Sequence, residues 1–143
     1  MKAPIDRAWR FVRDPAAMAQ CVPGIEKIDV IDDRTFDVVA SARVSFLTLT
    51  FTMRASITEV EEPRRLRSHI EGRDSRLGER IKMTAELTLD ELAPTETQIV
   101  YRIDMAVFGR LASLGLNVMK GKAKQIAEEF ARNMRIRVEA SAP

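Results

Sequence analysis

The sequence predicts an α+β domain: a curved antiparallel sheet wrapped around a long C-terminal helix, with two short helices near the N-terminus. Three observations predict it. From Ile25 to Val107 apolar residues recur at alternate positions; after Gly109 the period becomes about 3.6 and holds to about Val138; two short helical stretches, divided at Asp14-Pro15, precede both. The 143 residues suit one domain, taken as 1–143. A chain of that length buries roughly 70% of its unfolded surface, enough for a core without disulfide staples.

The first helix follows Pro4, a residue suited to a first helical turn, and places Ile5, Ala8, Trp9 and Val12 on one stripe. Asp14 then reads as an N-cap and Pro15 as the first position of a second helix through Ala16–Cys21, which Pro23-Gly24 stops.

Six strands follow as an antiparallel meander. Phe36, Val38, Ala40, Ala42 and Val44 alternate with Asp37, Ser41 and Arg43. Leu47, Leu49, Phe51, Met53, Ala55 and Ile57 alternate with Thr48, Thr50, Thr52, Arg54, Ser56 and Thr58. Leu66, Ser68 and Ile70 face away from Arg65, Arg67 and His69; Ile81, Met83, Ala85, Leu87 and Leu89 away from Lys82, Thr84, Glu86 and Thr88; Ile99, Tyr101, Ile103, Met105 and Val107 away from Arg102 and Asp104. Clean alternation means one dry and one wet face, the signature of antiparallel pairing. Turns are expected at Asp32-Asp33, Glu62-Pro63, Gly72 through Gly78, and Pro94-Thr95.

In the last element the apolar stripe is Met119, Ala123, Ile126, Ala127, Phe130 and Met134, with Lys124, Glu128, Arg132 and Arg135 opposite. Its front half is looser, apolar on two sides through Leu111, Leu114, Val118 and Ala112, Leu116, Met119, with weak points at Gly115 and Gly121. A one-sided sheet needs a cover, and this helix is the one available. A strongly bent sheet gripping a single helix leaves a cavity beneath it.

Composition narrows the function. With 45% apolar and 31% charged residues the chain is a soluble globular one. A single cysteine, Cys21, excludes an internal disulfide and multi-cysteine metal sites, and a single histidine, His69, excludes any site needing two imidazoles. The charged start, MKAPIDRAWRFVRD, carries no secretory signal, and no window reaches the ~20 apolar residues of a membrane span. A cytoplasmic protein is expected. Net charge is +2, but residues 110–143 carry seven Lys/Arg against three Glu, a local +4. Glu128 interrupts the Lys124–Arg132 row and no aromatic residue interleaves with it, so the basic face reads as solvated and no nucleic-acid partner is expected. The stretch from Val107 to Met119, beside Lys120, Lys122 and Lys124, is a candidate for peripheral membrane or partner contact, with ordinary burial as the alternative.

The segments APIDRAWRFVRDPAAMAQCVPGIEKI and VYRIDMAVFGRLASLG resemble the carbon monoxide dehydrogenase G-subunit family, within the START-like, Bet v 1-like helix-grip (SRPBCC) superfamily. The matching pieces are Pro4, Trp9, Asp14-Pro15, Met18-Ala19, Cys21, Pro23-Gly24, the Gly72 and Gly78 region, and Gly109-Arg110-Leu111-Ala112 with Gly115. The resemblance implies a helix-grip fold and a role beside molybdenum-containing carbon monoxide dehydrogenases or related hydroxylases, placing the enzyme at a membrane or holding a hydrophobic molecule such as a quinone. Family members usually begin with a strand before the first helix, whereas here that helix starts at about Pro4. One sheet edge is therefore expected to be unpaired, and a homo-oligomer is expected. Some members carry a C-terminal membrane anchor; the present chain ends at Pro143 without one, so any membrane role would be peripheral.

The expected interior is Phe51, Met53, Met83, Leu87, Tyr101, Ile103, Met105, Met119, Ile126 and Phe130, with Thr50, Thr52, Arg54 and Lys82 outside. Met53, Met83, Met105, Met119 and Met134 all face inward, as core filler or as an adaptable lining for a flat apolar ligand. Tyr101 is the inward polar tip able to hydrogen-bond a carbonyl. No carboxylate is expected on the dry face, Cys21 reads as a small buried hydrophobe, and His69 as a surface residue. The resulting expectation is a non-catalytic accessory protein binding a quinone- or lipid-like molecule, with no catalytic residue, metal or cofactor assigned. A small polyketide cyclase- or dehydratase-like enzyme and a ligand-free assembly factor are the alternatives.

Overall fold

The computed structural model describes residues 1–44, 47–75, 78, 80–108 and 116–140. Two short helices, α1 (Ile5–Val12) and α2 (Pro15–Cys21), precede six strands: β1 (Ile25–Val30), β2 (Thr35–Val44), β3 (Leu47–Glu61), β4 (Arg65–Asp74), β5 (Arg80–Ala93) and β6 (Glu96–Val107). A long helix, α3 (Leu116–Ala140), follows. The strands form one antiparallel sheet in sequence order, β1 to β6. The helical start expected after Gly109 falls on residues 109–115, outside the described residues, as does most of the apolar front of that helix.

Local chemistry sets the helices. The Asp14 carboxylate accepts the Ala16 and Ala17 N–H groups at 3.1 and 3.2 Å, satisfying donors that a helix start leaves orphaned. Ile5, Ala8, Trp9 and Val12 are all buried, as their spacing requires. The C-terminal half of α3 is fastened to this pair: the Asn133 side chain donates to the Cys21 carbonyl at 2.9 Å, and Arg137 donates to the Gln20 side chain.

Register assigns the faces. Leu49, Phe51, Ala55 and Ile57 of β3 are buried on the concave side, while Thr52 and Arg54 are exposed and Thr50 and Lys82 only half-buried. On the convex side Asp37 and Arg54 are cross-strand partners joined by two hydrogen bonds, at 2.8 and 3.1 Å. Arg65 reaches Glu59, Glu61 and Glu86 there, and Glu71 pairs with Lys82. Such exposed pairs favour this face in water while adding little stability each.

The α3 stripe meets the concave face in two clusters. Met134 and Val138 pack with Trp9, Leu66, Leu87 and Leu89 at one end; Met119 packs with Leu49, Phe51 and Ile81 at the other.

The turn expected from Gly72 through Gly78 starts later than its first glycine: the chain turns after Asp74, where Gly78 donates its N–H to the Asp74 carbonyl at 2.8 Å. β4 continues through Gly72 to Asp74. Gly72 lies directly opposite Met53, and a Cβ there would overlap the Thr52 carbonyl oxygen and the Met53 side chain. This glycine permits close approach of two strands. Gly24 has a positive φ, +90°, and its missing side chain leaves room for the Ser41 carbonyl.

Candidate functional site

The concave face is incompletely covered between its two clusters. Met83 and Met105 are cross-strand partners, and with Met53 they pack half-buried against the cluster of Phe51 and Met119. Toward the other end an open cavity of about 250 Å³ lies between β6 and α3. Ile99 and Tyr101 line it from β6, and Phe130, Ala131 and Met134 from α3. Met1, Leu92 and Thr97 close its far side, with Arg135 and Gln98 adding polar atoms.

The ten residues expected inside fall into three groups. Phe51, Leu87 and Met119 are buried, and Met53, Met83, Met105, Ile126 and Phe130 are half-buried. Tyr101 and Ile103 depart from expectation: they are 37% and 41% exposed. Register keeps both on the concave side, opposite Leu87 and Ala85, but β6 is the last strand of the sheet, and the pairing of Met1 with its outer edge is at Thr97. Alternation decides the face a side chain takes; it does not supply a neighbour. Phe130 and Tyr101 share the cavity, whereas Phe51, Met53 and Met119 belong to the opposite end.

A second correction concerns acids. Asp74 is fully buried and pairs in register with Phe51, which puts a carboxylate on the concave side where none was expected. A turn inferred at Gly72 ends the apparent alternation at Ile70, two steps of the period short of Asp74. Continuing those two steps reaches it. Thr97, the other fully buried polar residue, has no signal in the apolar pattern; its hydroxyl donates to the Ala3 carbonyl at 2.8 Å.

The remaining chemistry-bearing residues lie apart. His69 is on the convex side, 3.3 Å from Glu71, whose carboxyl is held below its ordinary value first by that histidine and then by Lys82. Burial pushes the Cys21 thiol up, with Arg137 opposing, so the thiolate needed for nucleophilic attack is disfavoured. No group of three or more His, Cys, Asp or Glu among the described residues is placed to hold a metal ion. No described helix is long and apolar enough to cross a membrane. A wider, more open hollow between α1 and β3 is lined by charged Arg10, Arg13, Asp14 and Glu62 together with Trp9, Pro15 and Val60.

The family model for the carbon monoxide dehydrogenase G subunit (CoxG) matches residues 1–139. The chain belongs to this family. No curated protein sequence matches it. Among solved structures, a conserved protein from Geobacillus kaustophilus superposes with a TM-score of 0.88 at 16% identity, covering 99% of this chain and 91% of that one. The Zhui aromatase/cyclase from Streptomyces sp. R1128 gives 0.71 at 17% identity, over 96% and 88% of the two chains. A START superfamily protein from Mycobacterium smegmatis gives 0.70 at 15%, over 99% and 94%. At such identities these likenesses establish the fold alone: this CoxG family member has the START-like, Bet v 1-like helix-grip architecture.

Proposed function

We propose that this domain binds a hydrophobic, quinone- or lipid-like molecule on its concave face, does no chemistry on it, and serves a carbon monoxide dehydrogenase or related molybdenum hydroxylase as an accessory protein that aids peripheral membrane recruitment. The single observation that carries the binding is the open cavity of about 250 Å³ between β6 and α3, with Ile99, Tyr101, Phe130 and Met134 in its lining. That volume falls just below the ~300–1,000 Å³ of ordinary ligand sites, so it suits a ring headgroup, with a tail lying along Met53, Met83 and Met105. Burying ~200 Å² of ligand at about 25 cal/mol per Å² contributes roughly 5 kcal/mol before association costs. A hydrogen bond from the Tyr101 hydroxyl to a ligand carbonyl adds to that. The accessory role rests on family membership.

Asp74 bears on the alternative of a small enzyme. Tyr101 pairs with Leu87 and Leu87 with Leu66, while Asp74 stands eight residues farther along β4. At ~3.3 Å per residue that is about 26 Å, too far for the two to act on one bond. This separation favours binding without catalysis.

Titration with a short-chain quinone tests the reading, with calorimetry beside tryptophan fluorescence, because Trp9 shares a cluster with Ile99 and Phe130. Saturable binding that is lost when Ala131→Leu fills the cavity is the expected result. No saturable binding by either method overturns it and leaves the ligand-free assembly factor.

A further inference from the structure

Arg10, in the last turn of α1, and Arg13, the residue that caps it, both line the open hollow of about 640 Å³ between α1 and β3. Three positions apart, they stand on one side of the helix end. Arg10 is exposed at the rim and Arg13 is half-buried. The Nη1 nitrogen of Arg13 is buried and has no hydrogen-bond acceptor among the described residues. A guanidinium keeps its charge at any physiological pH, so Arg13 does not escape this burial by losing a proton. A buried charged donor without an acceptor is costly for a fold to keep. Cations at a helix C-terminus often donate to the last carbonyls, but this nitrogen makes no such bond. The nearby carboxylates do not serve it either. Asp14 caps α2, one of its oxygens accepting the Ala16 and Ala17 N–H groups, and Glu62 is exposed on the turn between β3 and β4. Trp9, Pro15 and Val60 give the same hollow an apolar side.

We propose that this hollow is a second binding site, for a small organic monocarboxylate with an apolar body. The carboxylate accepts from the buried Nη1 of Arg13, with Arg10 adding charge at the rim, and the body lies against Trp9, Pro15 and Val60. A charge-assisted bond of this kind is roughly twice as strong as a neutral one, and the guanidinium fork matches two carboxylate oxygens. The charges around the hollow select the class of ligand. Two arginines disfavour a cation. Asp14 and Glu62 limit the negative charge the site accepts, so a monoanion is preferred to a phosphate monoester, which carries about −1.5 to −2 at neutral pH. The volume lies within the ~300–1,000 Å³ of ordinary small-molecule sites. The hollow shares no lining residue with the cavity between β6 and α3, so the proposal does not rest on the quinone reading. Trp9, the single tryptophan, lines the hollow and reports its occupancy.

Titration of the full chain with octanoate, by calorimetry and Trp9 fluorescence, tests this. Octanol lacks the charge, acetate lacks the body, and octyl phosphate carries the larger charge on the same tail. Octanoate is expected to bind saturably, about tenfold or more tighter than octanol or acetate, and tighter than octyl phosphate. Arg13→Gln should weaken octanoate by about tenfold and leave octanol unchanged, with Arg13→Lys, a point charge without the fork, in between. Two exposed variants keep the test decisive if changes at Arg13 prevent folding. Arg10→Glu should weaken octanoate severalfold, and Glu62→Gln should tighten it and narrow its advantage over octyl phosphate. Ala131→Leu, which fills the other cavity, should leave octanoate affinity as it is. No saturable octanoate binding by either method overturns the proposal. So does octanol bound as tightly as octanoate, or octanoate affinity indifferent to the charge changes at Arg10, Arg13 and Glu62. Loss of octanoate binding in Ala131→Leu assigns it to the cavity between β6 and α3 and overturns the proposal as well.

Discussion

Met1 and Thr97 exchange both of their main-chain hydrogen bonds, the N-terminal amine donating to the Thr97 carbonyl at 2.7 Å and the Thr97 N–H to the Met1 carbonyl at 3.0 Å. This is one rung of an antiparallel ladder between residues 96 positions apart. It holds the start of the chain beside β6, closes the far side of the cavity, and fixes the entry into α1. The Thr97 hydroxyl reinforces it through Ala3, and Lys2 donates its N–H to Glu139 of α3 at 2.7 Å.

Removing that hydroxyl should be felt throughout the fold. Thr97→Val leaves the Ala3 carbonyl without its buried donor, and we expect a loss of about 1–3 kcal/mol. Urea unfolding measures it as a lower midpoint with an unchanged slope. A Thr97→Ser variant, which keeps the donor, should retain most of the stability; equal losses in the two variants would show that the methyl group matters instead.

Acid should loosen the same region. The Lys2 N–H, first, and Arg135 after it hold the Glu139 carboxyl below its ordinary value of 4.5. A carboxyl with a lowered value in the folded state contributes stability above its unfolded value, and that contribution is lost as pH falls through the folded one. Glu139→Gln should therefore lower the urea midpoint at neutral pH, with the difference from the parent shrinking toward zero below about pH 4. Added salt should diminish it as well, because the Arg135 share is a surface interaction. A difference that grows on acidification would contradict this assignment.

The two close-approach glycines should be intolerant of a methyl group for different reasons. Gly24→Ala combines a positive φ with overlap on the Ser41 carbonyl; Gly72→Ala overlaps the backbone of β3. Each should cost more than the roughly 1 kcal/mol that residues disfavour at positive φ, seen as a lower Tm or as insoluble protein. Gly121→Ala, where a Cβ meets open space on an exposed turn of α3, should instead stabilise by about 1 kcal/mol.

Tyr101→Phe separates the two parts of ligand recognition. It leaves the apolar lining intact and removes one donor, so quinone affinity should fall by roughly two- to tenfold without a change in fold. Calorimetry supplies the number. An unchanged affinity would place the ligand carbonyl elsewhere in the cavity.

The sequence by itself determined the order of elements and the side of each that is dry. Period-two alternation in β2 to β6 and the 3.6-residue stripe on α3 are local properties of the chain, set by backbone geometry, and Asp14-Pro15 and Pro23-Gly24 act within a few residues of themselves. Family membership was legible for the same reason, in short spacings around Trp9 and Gly24. Tertiary structure decided what each dry face meets. Tyr101 and Ile103 carry the same alternation as Leu87, yet stand exposed because the strand that would cover them is not determined by their own period. Gly72 reads as a turn because glycine serves both turning and close approach, and only the position of Met53 across the sheet distinguishes them; Asp74 is hidden behind that ambiguity. The cavity likewise exists where β6 and α3 fail to meet. Such a gap is a relation between distant segments, and no run of neighbouring residues encodes it.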